Sequence, residues 1–236
     1  MTFSVKYGRT YHYPFSPGTT SDDRINPDFG TDLAAISELI HTEKLDGENN
    51  CLNRHGVFAR SHAAPTQSPW TRFLWRRWEL IRHELGELEL FGENVFAVHS
   101  IAYERLESHF YVFAIREGDR WLSWDETTFY AALLDFPTVP ELARQTAPLT
   151  AGAVEKTVRG LVGQPSRFGS VDALTHQPCT MEGVVSRDAG SYRTDEFARR
   201  VFKYVRPGHV KTDEHWTRTW KRAPLKQENN RLCTGN

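Results

Sequence analysis

Short runs of strand-forming residues, separated by turn residues, recur along the chain and constrain its fold more than any other feature. Each run is too short for a helix of ordinary length, and most are rich in Val, Leu, Phe and Tyr. There are six such runs, at residues 49–53, 56–60, 88–98, 110–116, 183–187 and 200–205. The sequence therefore predicts β-strands distributed over most of the chain.

Helical patterns occupy three of the intervals between these runs, at residues 70–85, 123–136 and 150–163. The first carries an apolar stripe and is followed by Gly86, a residue type that commonly ends helices. The second opens with Ser123 and Glu126 at the spacing of a capping box, and the third is a weaker pattern. Strand clusters with helices between them indicate an α+β fold of antiparallel sheets flanked by helices.

The composition is that of an ordinary globular protein, with 39% hydrophobic and 25% charged residues. The formal net charge is −1, so no global positive field attracts nucleic acid, and a polyanion would have to bind at a local patch. Aromatic residues make up 12% of the chain, enough for stacking surfaces as well as core. A disulfide framework or zinc knuckle is not expected from three scattered cysteines, Cys51, Cys179 and Cys233.

The sequence shows neither an apolar run of membrane-spanning length nor a signal-peptide pattern, so we expect a cytoplasmic protein with no membrane partner. Residues 1–40 include the turn-rich stretch 14–30 and are expected to pack as an N-terminal segment on the body. The main domain is predicted to span residues 41–225, and residues 226–236 are predicted to form a C-terminal tail.

One basic face is open to two interpretations. The predicted helix 70–85 carries four arginines, Arg72, Arg76, Arg77 and Arg82. These side chains could follow a phosphate backbone, but a solvated face opposite a buried aromatic stripe would carry the same residues. The pattern does not decide between the two.

The segment TEKLDGENN, residues 42–50, holds Lys44 shortly before Asp46 and Gly47. Asp-Gly alone would predict the charged turn of a β-hairpin. Five further short elements follow in order, each with one residue able to bind or stack on a nucleotide. They are VFARSH with Arg60 on a strand, LFGEN with Glu93, FYVFAI with Phe113, MEGVVSR with Glu182 and VFKYV with Lys203.

This ordered set resembles the motifs of ATP-dependent DNA and RNA ligases and capping enzymes, the first of which is K-x-D-G. Asn49 and the FYVF stretch are more similar to phage-type RNA ligases than to DNA ligases, and the whole chain resembles small bacterial proteins with an RNA-ligase domain. The resemblance implies a nucleotidyltransferase domain, similar to the ATP-grasp-like adenylation domain of ligases. Only about thirty residues follow Lys203, so no C-terminal OB-fold is expected. RNA ends would then be bound by the N-terminal segment, the arginine face, residues 209–216 or a partner.

The resemblance also implies a role for each motif residue. Lys44 would attack the α-phosphorus of ATP and form lysyl-AMP, and Lys203 would stabilise charge on the same phosphate. Glu93 would accept hydrogen bonds from ribose hydroxyls, and Phe113 would stack on adenine. Glu182 would bind hydrated Mg²⁺ or Mn²⁺, because magnesium keeps several waters and needs few protein oxygens. The remaining nucleotide-binding candidates are Glu43, Asp46, Asn49 and Arg60.

The chemistry of attack places demands on the residues around the lysine. Lys44 must be a neutral amine to attack, whereas an unperturbed lysine has a pKa of about 10.4. Desolvation between strands and nearby cations, including a bound metal, are expected to lower that pKa. Gly47 is expected to let the backbone approach the nucleotide closely, and Asp46 is expected to orient either the amine or the turn.

The final motif departs from the usual pattern of two alternating lysines, because Val205 stands at the second position. Arg206 or Lys211 could supply the missing cation, and a loop folding back over the site favours Lys211. A structural or RNA-contacting role is expected for three nearby residues that match no zinc-binding spacing, His209, Asp213 and His215.

The sequence therefore predicts an ATP-dependent RNA ligase that joins 5′-phosphate and 3′-hydroxyl RNA ends through lysyl-AMP. A DNA ligase and a GTP-using capping-type enzyme are alternatives on the same core. A nucleotide- or RNA-binding module without turnover is the non-enzyme alternative. The presence of both lysines and both glutamates together favours an enzyme, and an RNA end-healing protein is a candidate partner.

Overall fold

The computed structural model describes residues 4–18, 23–60, 64–207 and 220–228. The strands within these ranges are β1 (Tyr11–His12), β2 (Glu38–Lys44), β3 (Glu48–Asn53), β4 (Gly56–Ala59), β5 (Leu88–Asn94), β6 (Ile101–Tyr103), β7 (Phe110–Glu117), β8 (Arg120–Trp121), β9 (Glu141–Thr146), β10 (Ser170–Asp172), β11 (Gly183–Asp188), β12 (Tyr192–Arg193) and β13 (Val201–Val205). The helices are α1 (Phe29–Asp32), α2 (Arg72–Ile81), α3 (Trp124–Leu133), α4 (Ala151–Val162) and α5 (Phe197–Arg200). Short 3₁₀ helices span Leu33–Ala35, Pro69–Thr71 and Thr194–Glu196.

Two sheets form the body of the protein. The five-stranded sheet has the order β1-β13-β11-β2-β9 and is antiparallel apart from the parallel pair of β1 and β13. The six-stranded sheet has the order β12-β8-β7-β5-β3-β4 and is antiparallel throughout. Strands β10 and β6 form a separate antiparallel pair. This architecture confirms the predicted α+β fold of antiparallel sheets flanked by helices.

An aromatic core fills the space between the two sheets. Alternate residues of each strand enter it, because successive side chains along a strand point to opposite faces. Ile40 and Val201 enter from the five-stranded sheet, and Phe91, Tyr111 and Phe113 enter from the six-stranded sheet. We call the side of each sheet that faces this core its inner face.

Helices cover the outer faces of both sheets. Helices α2 and α3 contribute Leu74, Ile81 and Ala131 to a core with the six-stranded sheet. Helix α4 contributes Val154 and Val158 to a core with the five-stranded sheet. The N-terminal segment adds further buried residues to this second core, namely Tyr13, Phe29, Leu33 and Ile36.

The predicted strands are all present, with ends that differ most in the run 88–98. Strand β5 ends at Asn94, four residues early. The Oδ1 atom of Asn94 accepts a hydrogen bond of 3.0 Å from the amide of Phe96, and such a side-chain bond favours a turn over a continuing strand. Strand β4 ends at Ala59, so Arg60 lies just beyond it and not on it.

The predicted helices are also present. Helix α3 has the predicted capping box, in which Ser123 Oγ accepts from the Glu126 amide and the Glu126 carboxylate accepts from the Ser123 amide. Helix α2 ends at Ile81, and a turn then leads to Gly86, whose φ of +53° suits glycine. Among the described helices, none has the length and apolar character that crossing a membrane would require.

The turn chemistry of Asp-Gly alone predicted a β-hairpin. In the structure this segment does not close a hairpin. Strand β2, which the sequence did not predict, belongs to the five-stranded sheet, whereas β3 belongs to the six-stranded sheet. Residues 45–47 therefore cross from one sheet to the other. A Cβ atom at Gly47 would collide with the carbonyl oxygen of Asn94, so the glycine allows close passage of β5. The backbone at Gly47 therefore lies close to the backbone of Asn94. The close approach to nucleotide that the sequence predicted for Gly47 stays a prediction.

The predicted division into residues 1–40, 41–225 and 226–236 stays a prediction. Strand β2 begins at Glu38, so the first predicted boundary falls inside a strand. Residues 229–236 of the predicted tail lie outside the described ranges.

Candidate active site

Lys44 is the last residue of β2 and shares the inner face of the five-stranded sheet with Ile40. Its Nζ atom donates to both carboxylate oxygens of Glu182, at 2.7 Å each. The Lys44 side chain is 27% exposed and that of Glu182 is 6% exposed, so the lysine is the more accessible partner. The structure thus brings together two residues 138 positions apart in the sequence.

Gly183 makes this pairing possible. It is the first residue of β11 and pairs with Lys44 on one side and with Val205 on the other. A Cβ atom at this position would collide with the carbonyl oxygen of Tyr204 in β13. The glycine of the MEGVVSR element therefore allows β13 to approach β11 directly beside Glu182.

The pKa of Lys44 lies above its ordinary value, against the lowering that we expected from the sequence. Burial lowers this pKa, but the charges of Glu182 and Glu93 and a hydrogen bond to Glu182 raise it by more, with a further contribution from Asp46. The surroundings are carboxylates where cations were expected. In the nucleotide-free protein Lys44 is therefore an ammonium ion.

Glu93 is the second carboxylate near Lys44. It lies on β5, opposite Asn49 of β3, and both strands are part of the six-stranded sheet. Burial raises the pKa of Glu93 to about 8, with Lys44 lowering it and the charges of Glu182 and Asp46 raising it. Glu93 is therefore largely protonated near neutral pH, while the carboxylates of Glu182 and Asp46 outnumber the one ammonium ion and leave an excess of negative charge around Lys44.

This excess charge fits a divalent cation. Among the residues that the structure describes, no group of three or more His, Cys, Asp or Glu side chains is arranged to hold a metal ion. Magnesium retains most of its waters and binds through one or two carboxylates, so it needs no such enclosure. Glu182 would be the ligand.

Asp46 orients the turn that follows β2. Its Oδ2 atom accepts hydrogen bonds of 2.8 Å from the amide and hydroxyl of Ser100 and from the amide of Ile101. The Asp46 amide donates to the hydroxyl of Tyr103 at 2.7 Å. These bonds fasten the crossing between the sheets to the start of β6, and so fix where β2 ends.

Glu43 and Asn49 occupy different environments. Glu43 is 2% exposed and follows the opposite face of β2 from Lys44, where its Oε2 atom accepts from the Arg167 amide at 3.0 Å. Burial raises the pKa of Glu43. The Oδ1 atom of Asn49 is buried and has no hydrogen-bond partner within the described part of the chain. Glu43 Oε1 is likewise buried without a hydrogen-bond partner in the described residues, so both side chains keep an acceptor, and only Glu43 has a structural contact through its other oxygen.

Phe113 lies in the core between the sheets, at the register shift between β5 and β7. It is 9% exposed, and the ring of Tyr7 meets it edge-on with centroids 5.1 Å apart. The neighbouring aromatic Phe110 belongs to the outer core beneath the helices, so only Phe113 faces the cleft side. Arg60 is exposed just after β4.

Lys203 lies on the inner face of β13, since it alternates with Val201. Its Nζ atom is 3.1 Å from Oδ1 of Asp23, and His12 Nε2 is 3.2 Å from the same oxygen. Sequence reasoning did not identify Asp23 or His12. A two-residue strand has no periodic pattern, and neither residue belongs to a motif, so no signal marked them.

Val205 stands on the same face as Lys203 and carries no charge to replace the usual second lysine. The amide of Arg206 donates to the Glu182 carbonyl at 2.9 Å, and its Nε atom is buried without a hydrogen-bond partner in the described residues. Hydrogen bonds from Thr175 and Leu174 lower the pKa of Asp172 on β10, and the charge of Arg206 adds a smaller contribution. The other candidate, Lys211, and the residues His209, Asp213 and His215 lie outside the described residues.

Comparison with known proteins adds the family. The RNA ligase family model matches residues 37–205, which run from the start of β2 to the end of β13 and include both lysines. The chain belongs to the RNA ligase family. Among curated proteins, no sequence matches this family member.

Solved RNA ligases have a similar fold. A mutant of Naegleria gruberi RNA ligase with ATP and Mn is 19% identical, with a TM-score of 0.56 over 89% of this chain and 58% of that chain. An archaeal ATP-dependent RNA ligase is 15% identical, with a TM-score of 0.52 over 85% of this chain and 48% of that chain. This RNA ligase family member thus covers about half of the length of these two structures, and the likeness concerns the fold.

Proposed function

We propose that the protein is an ATP-dependent RNA ligase that joins 5′-phosphate and 3′-hydroxyl RNA ends through lysyl-AMP. The observation that carries the proposal is Lys44, an accessible inner-face lysine held by Glu182, in a chain of the RNA ligase family. Lys203 lies on the inner face of the five-stranded sheet, as Lys44 does. Similarity in fold to an RNA ligase with bound ATP and Mn supports ATP as the nucleotide.

In the first step, Lys44 Nζ forms a bond to the α-phosphorus of ATP while the bond from that phosphorus to pyrophosphate breaks. The ammonium ion must first lose a proton, and a divalent cation at Glu182 would favour this by offsetting the carboxylate charge that raises the Lys44 pKa. Lys203 offsets the negative charge that develops on the phosphate. Asn49 and Glu93 bind the sugar side of the nucleotide through acceptor oxygens on the facing sheet.

The two later steps use the same residues. An oxygen of the RNA 5′-phosphate attacks the phosphorus of lysyl-AMP, breaking the phosphorus–nitrogen bond and returning Lys44 to its amine. The 3′-hydroxyl oxygen then attacks the RNA 5′-phosphorus, forming a phosphodiester bond and releasing AMP. A divalent cation at Glu182 would supply charge neutralisation at the reacting phosphates.

Labelling and sealing experiments test this proposal. Purified protein with Mg²⁺ and α-labelled ATP should become covalently labelled, and the labelled protein should join 5′-phosphate to 3′-hydroxyl RNA. A protein tells RNA from DNA through 2′-hydroxyl contacts, so terminal deoxynucleotides on the 3′-hydroxyl strand should reduce sealing strongly.

Each alternative activity has its own contradicting result. Labelling by GTP in place of ATP would indicate a capping-type enzyme. Equal sealing of an all-DNA nick would indicate a DNA ligase. ATP binding without any covalent label would indicate a binding module without turnover.

A further inference from the structure

The N-terminal segment brings a carboxylate and an imidazole to Lys203. Strand β1 runs parallel to β13 and places His12 directly beside Lys203 in the register of the sheet. Asp23, from the same segment, puts one oxygen 3.1 Å from the lysine Nζ and 3.2 Å from the histidine Nε2. These two residues lie outside residues 37–205, the part that matches the family.

Backbone hydrogen bonds hold this arrangement in place. The His12 amide donates to the Arg24 carbonyl at 2.7 Å, and the Asn26 amide donates to the His12 carbonyl at 3.0 Å. Ser16 Oγ accepts from the Val205 amide at 3.1 Å and bonds His12 Nδ1 at 2.8 Å. His12 is 1% exposed. The position of the cluster is therefore set by secondary structure and not by mobile surface side chains.

The carboxylate has two opposite effects on a lysine that must bind phosphate. The side chains of Lys203 and Asp23 are 20% and 12% exposed, so solvent screens their attraction only in part. Asp23 restricts the flexible lysine side chain to one direction. The same negative charge neutralises Lys203 and repels an incoming triphosphate.

We propose that Asp23 is a positioning residue for adenylylation and that His12 orients it. Asp23 holds the Lys203 ammonium ion on the inner face, and the α-phosphate replaces it as the partner of Lys203 when nucleotide binds. Neither Asp23 nor His12 touches the nucleotide in this arrangement. The inference rests on the proposed function, because it takes Lys203 as the phosphate-binding lysine.

The Asp23→Asn substitution should strengthen ATP binding and slow lysyl-AMP formation. The substitution removes the charge and keeps the shape, so Lys203 becomes available to phosphate but loses its fixed direction. We expect the KM for ATP to fall about tenfold and the maximal rate of lysyl-AMP formation to fall about tenfold, each equivalent to about 1.4 kcal/mol. A merely structural defect would lower the active fraction without lowering KM. Asp23→Glu should restore part of the maximal rate.

The measurement is single-turnover adenylylation over a range of ATP concentrations. Asp28→Asn is the matched control, because Asp28 lies in the same segment, is exposed and makes no side-chain hydrogen bond at the start of α1. His12→Ala should shift both constants in the same directions by a smaller factor, because it removes the ring that lies 3.2 Å from the Asp23 oxygen. An unchanged or raised KM in both Asp23→Asn and His12→Ala would overturn the proposal.

ATP binding measured by calorimetry in a Lys44→Ala background separates this inference from the proposed function. If the wild-type protein forms no lysyl-AMP, the proposed function fails. The calorimetric comparison still decides the role of Asp23, since tighter ATP binding by the Asp23→Asn variant supports it and unchanged binding contradicts it.

Discussion

The two lysines of the cleft are held in different ways. Lys44 and Lys203 belong to the same sheet, and each has a carboxylate at hydrogen-bond distance. The partner of Lys44 is Glu182, beside the neighbouring strand and inside the range that matches the RNA ligase family. The partner of Lys203 is Asp23, in the N-terminal segment outside that range. Lys44 is thus held by a residue inside the matched range, and Lys203 by a residue outside it.

The two carboxylates are therefore expected to have different roles, Glu182 in the reaction itself and Asp23 in the placement of Lys203. Glu182 is 6% exposed, contacts the proposed attacking amine of Lys44 with both oxygens, and is the candidate metal ligand. Asp23 is 12% exposed and contacts Lys203, which we propose stabilises charge on the phosphate. Substitution at the first pair should therefore remove the reaction, whereas substitution at the second should redistribute free energy between binding and rate.

The largest effect is expected at Glu182. Glu182→Ala removes the group that holds Lys44 and the candidate metal ligand together, so lysyl-AMP formation should slow by about a thousandfold. Glu155→Ala on helix α4 is the matched control and should leave the rate unchanged. Single-turnover adenylylation at several Mg²⁺ concentrations measures the effect. Full activity of Glu182→Ala at low Mg²⁺ would contradict both assignments.

The next largest effect concerns the second lysine of the final motif, whose position is occupied by Val205. Lys203→Ala should reduce lysyl-AMP formation by about a hundredfold or more, as expected for loss of one charge-stabilising donor. Lys211→Ala should slow the reaction more than Arg206→Ala does, because Pro207-Gly208 predicts a turn that would direct the residues after it back over the phosphate. The three rates, measured in parallel, test the order. A near-wild-type rate for Lys211→Ala would show that the cation at Val205 is not replaced from that loop.

Gly183 lies on β11, between the strands that carry Lys44 and Lys203. A substitution there tests whether the close spacing of β11 and β13 contributes to stability. Gly183→Ala would place a methyl group against the Tyr204 carbonyl oxygen and should lower the free energy of unfolding by at least about 2 kcal/mol. Gly152→Ala in helix α4 is the control, because no atom lies within 4 Å of the added Cβ and alanine should stabilise by about 0.5–1 kcal/mol. Denaturant unfolding measures both. Equal stability of the two variants would refute the close packing of β11 and β13.

The smallest effect concerns the pH dependence of the sheet that carries both lysines. Burial lowers the pKa of His41, whose ring bonds Ser186 at 2.7 Å and Gln145 at 2.8 Å. The unfolded chain takes up this proton below about pH 6.5, whereas the folded protein takes it up only at lower pH. The contribution of His41 to the free energy of unfolding should therefore be fully present above about pH 6.5 and should decrease as the pH falls below that value.

Denaturant unfolding between about pH 7.5 and pH 5 measures this slope, and His41→Gln should reduce it relative to wild type. Burial also lowers the pKa of His109, which therefore contributes to the slope with the same sign. An identical slope in His41→Gln and wild type would show that His41 does not contribute.

The strand patterns predicted most of the fold, whereas the roles of the motif residues stay predictions. Lys44, Glu182 and Lys203 belong to short elements that a single sequence displays. The two lysines lie on β2 and β13 of one sheet, and Glu182 directly precedes β11 between them. Strand β2 was not predicted, because the residues 38–44 mix charged and apolar types without the alternation of a half-buried strand. Its burial on both faces explains the missing pattern.

The electrostatics could not be predicted, because they depend on pairings across the whole chain. The two carboxylates that contribute most to the raised pKa of Lys44, Glu182 and Glu93, are distant from it in the sequence, and Asp23 is 180 residues from Lys203. The motifs predicted a lowered pKa for Lys44, whereas its neighbours in the structure raise it. Asp46 alone among these carboxylates is also a sequence neighbour of Lys44.

The covalent state of Lys44 tests the central claim most directly. Intact-mass measurement of the purified protein after incubation with ATP and Mg²⁺ should show the gain of one AMP, and peptide mapping should place it on Lys44. Lys44→Ala should show no gain, and Lys203→Ala only a slow one. An unchanged mass of the wild-type protein across a range of pH and divalent metals, or an AMP on any other residue, would contradict the assignment of Lys44 as the attacking group.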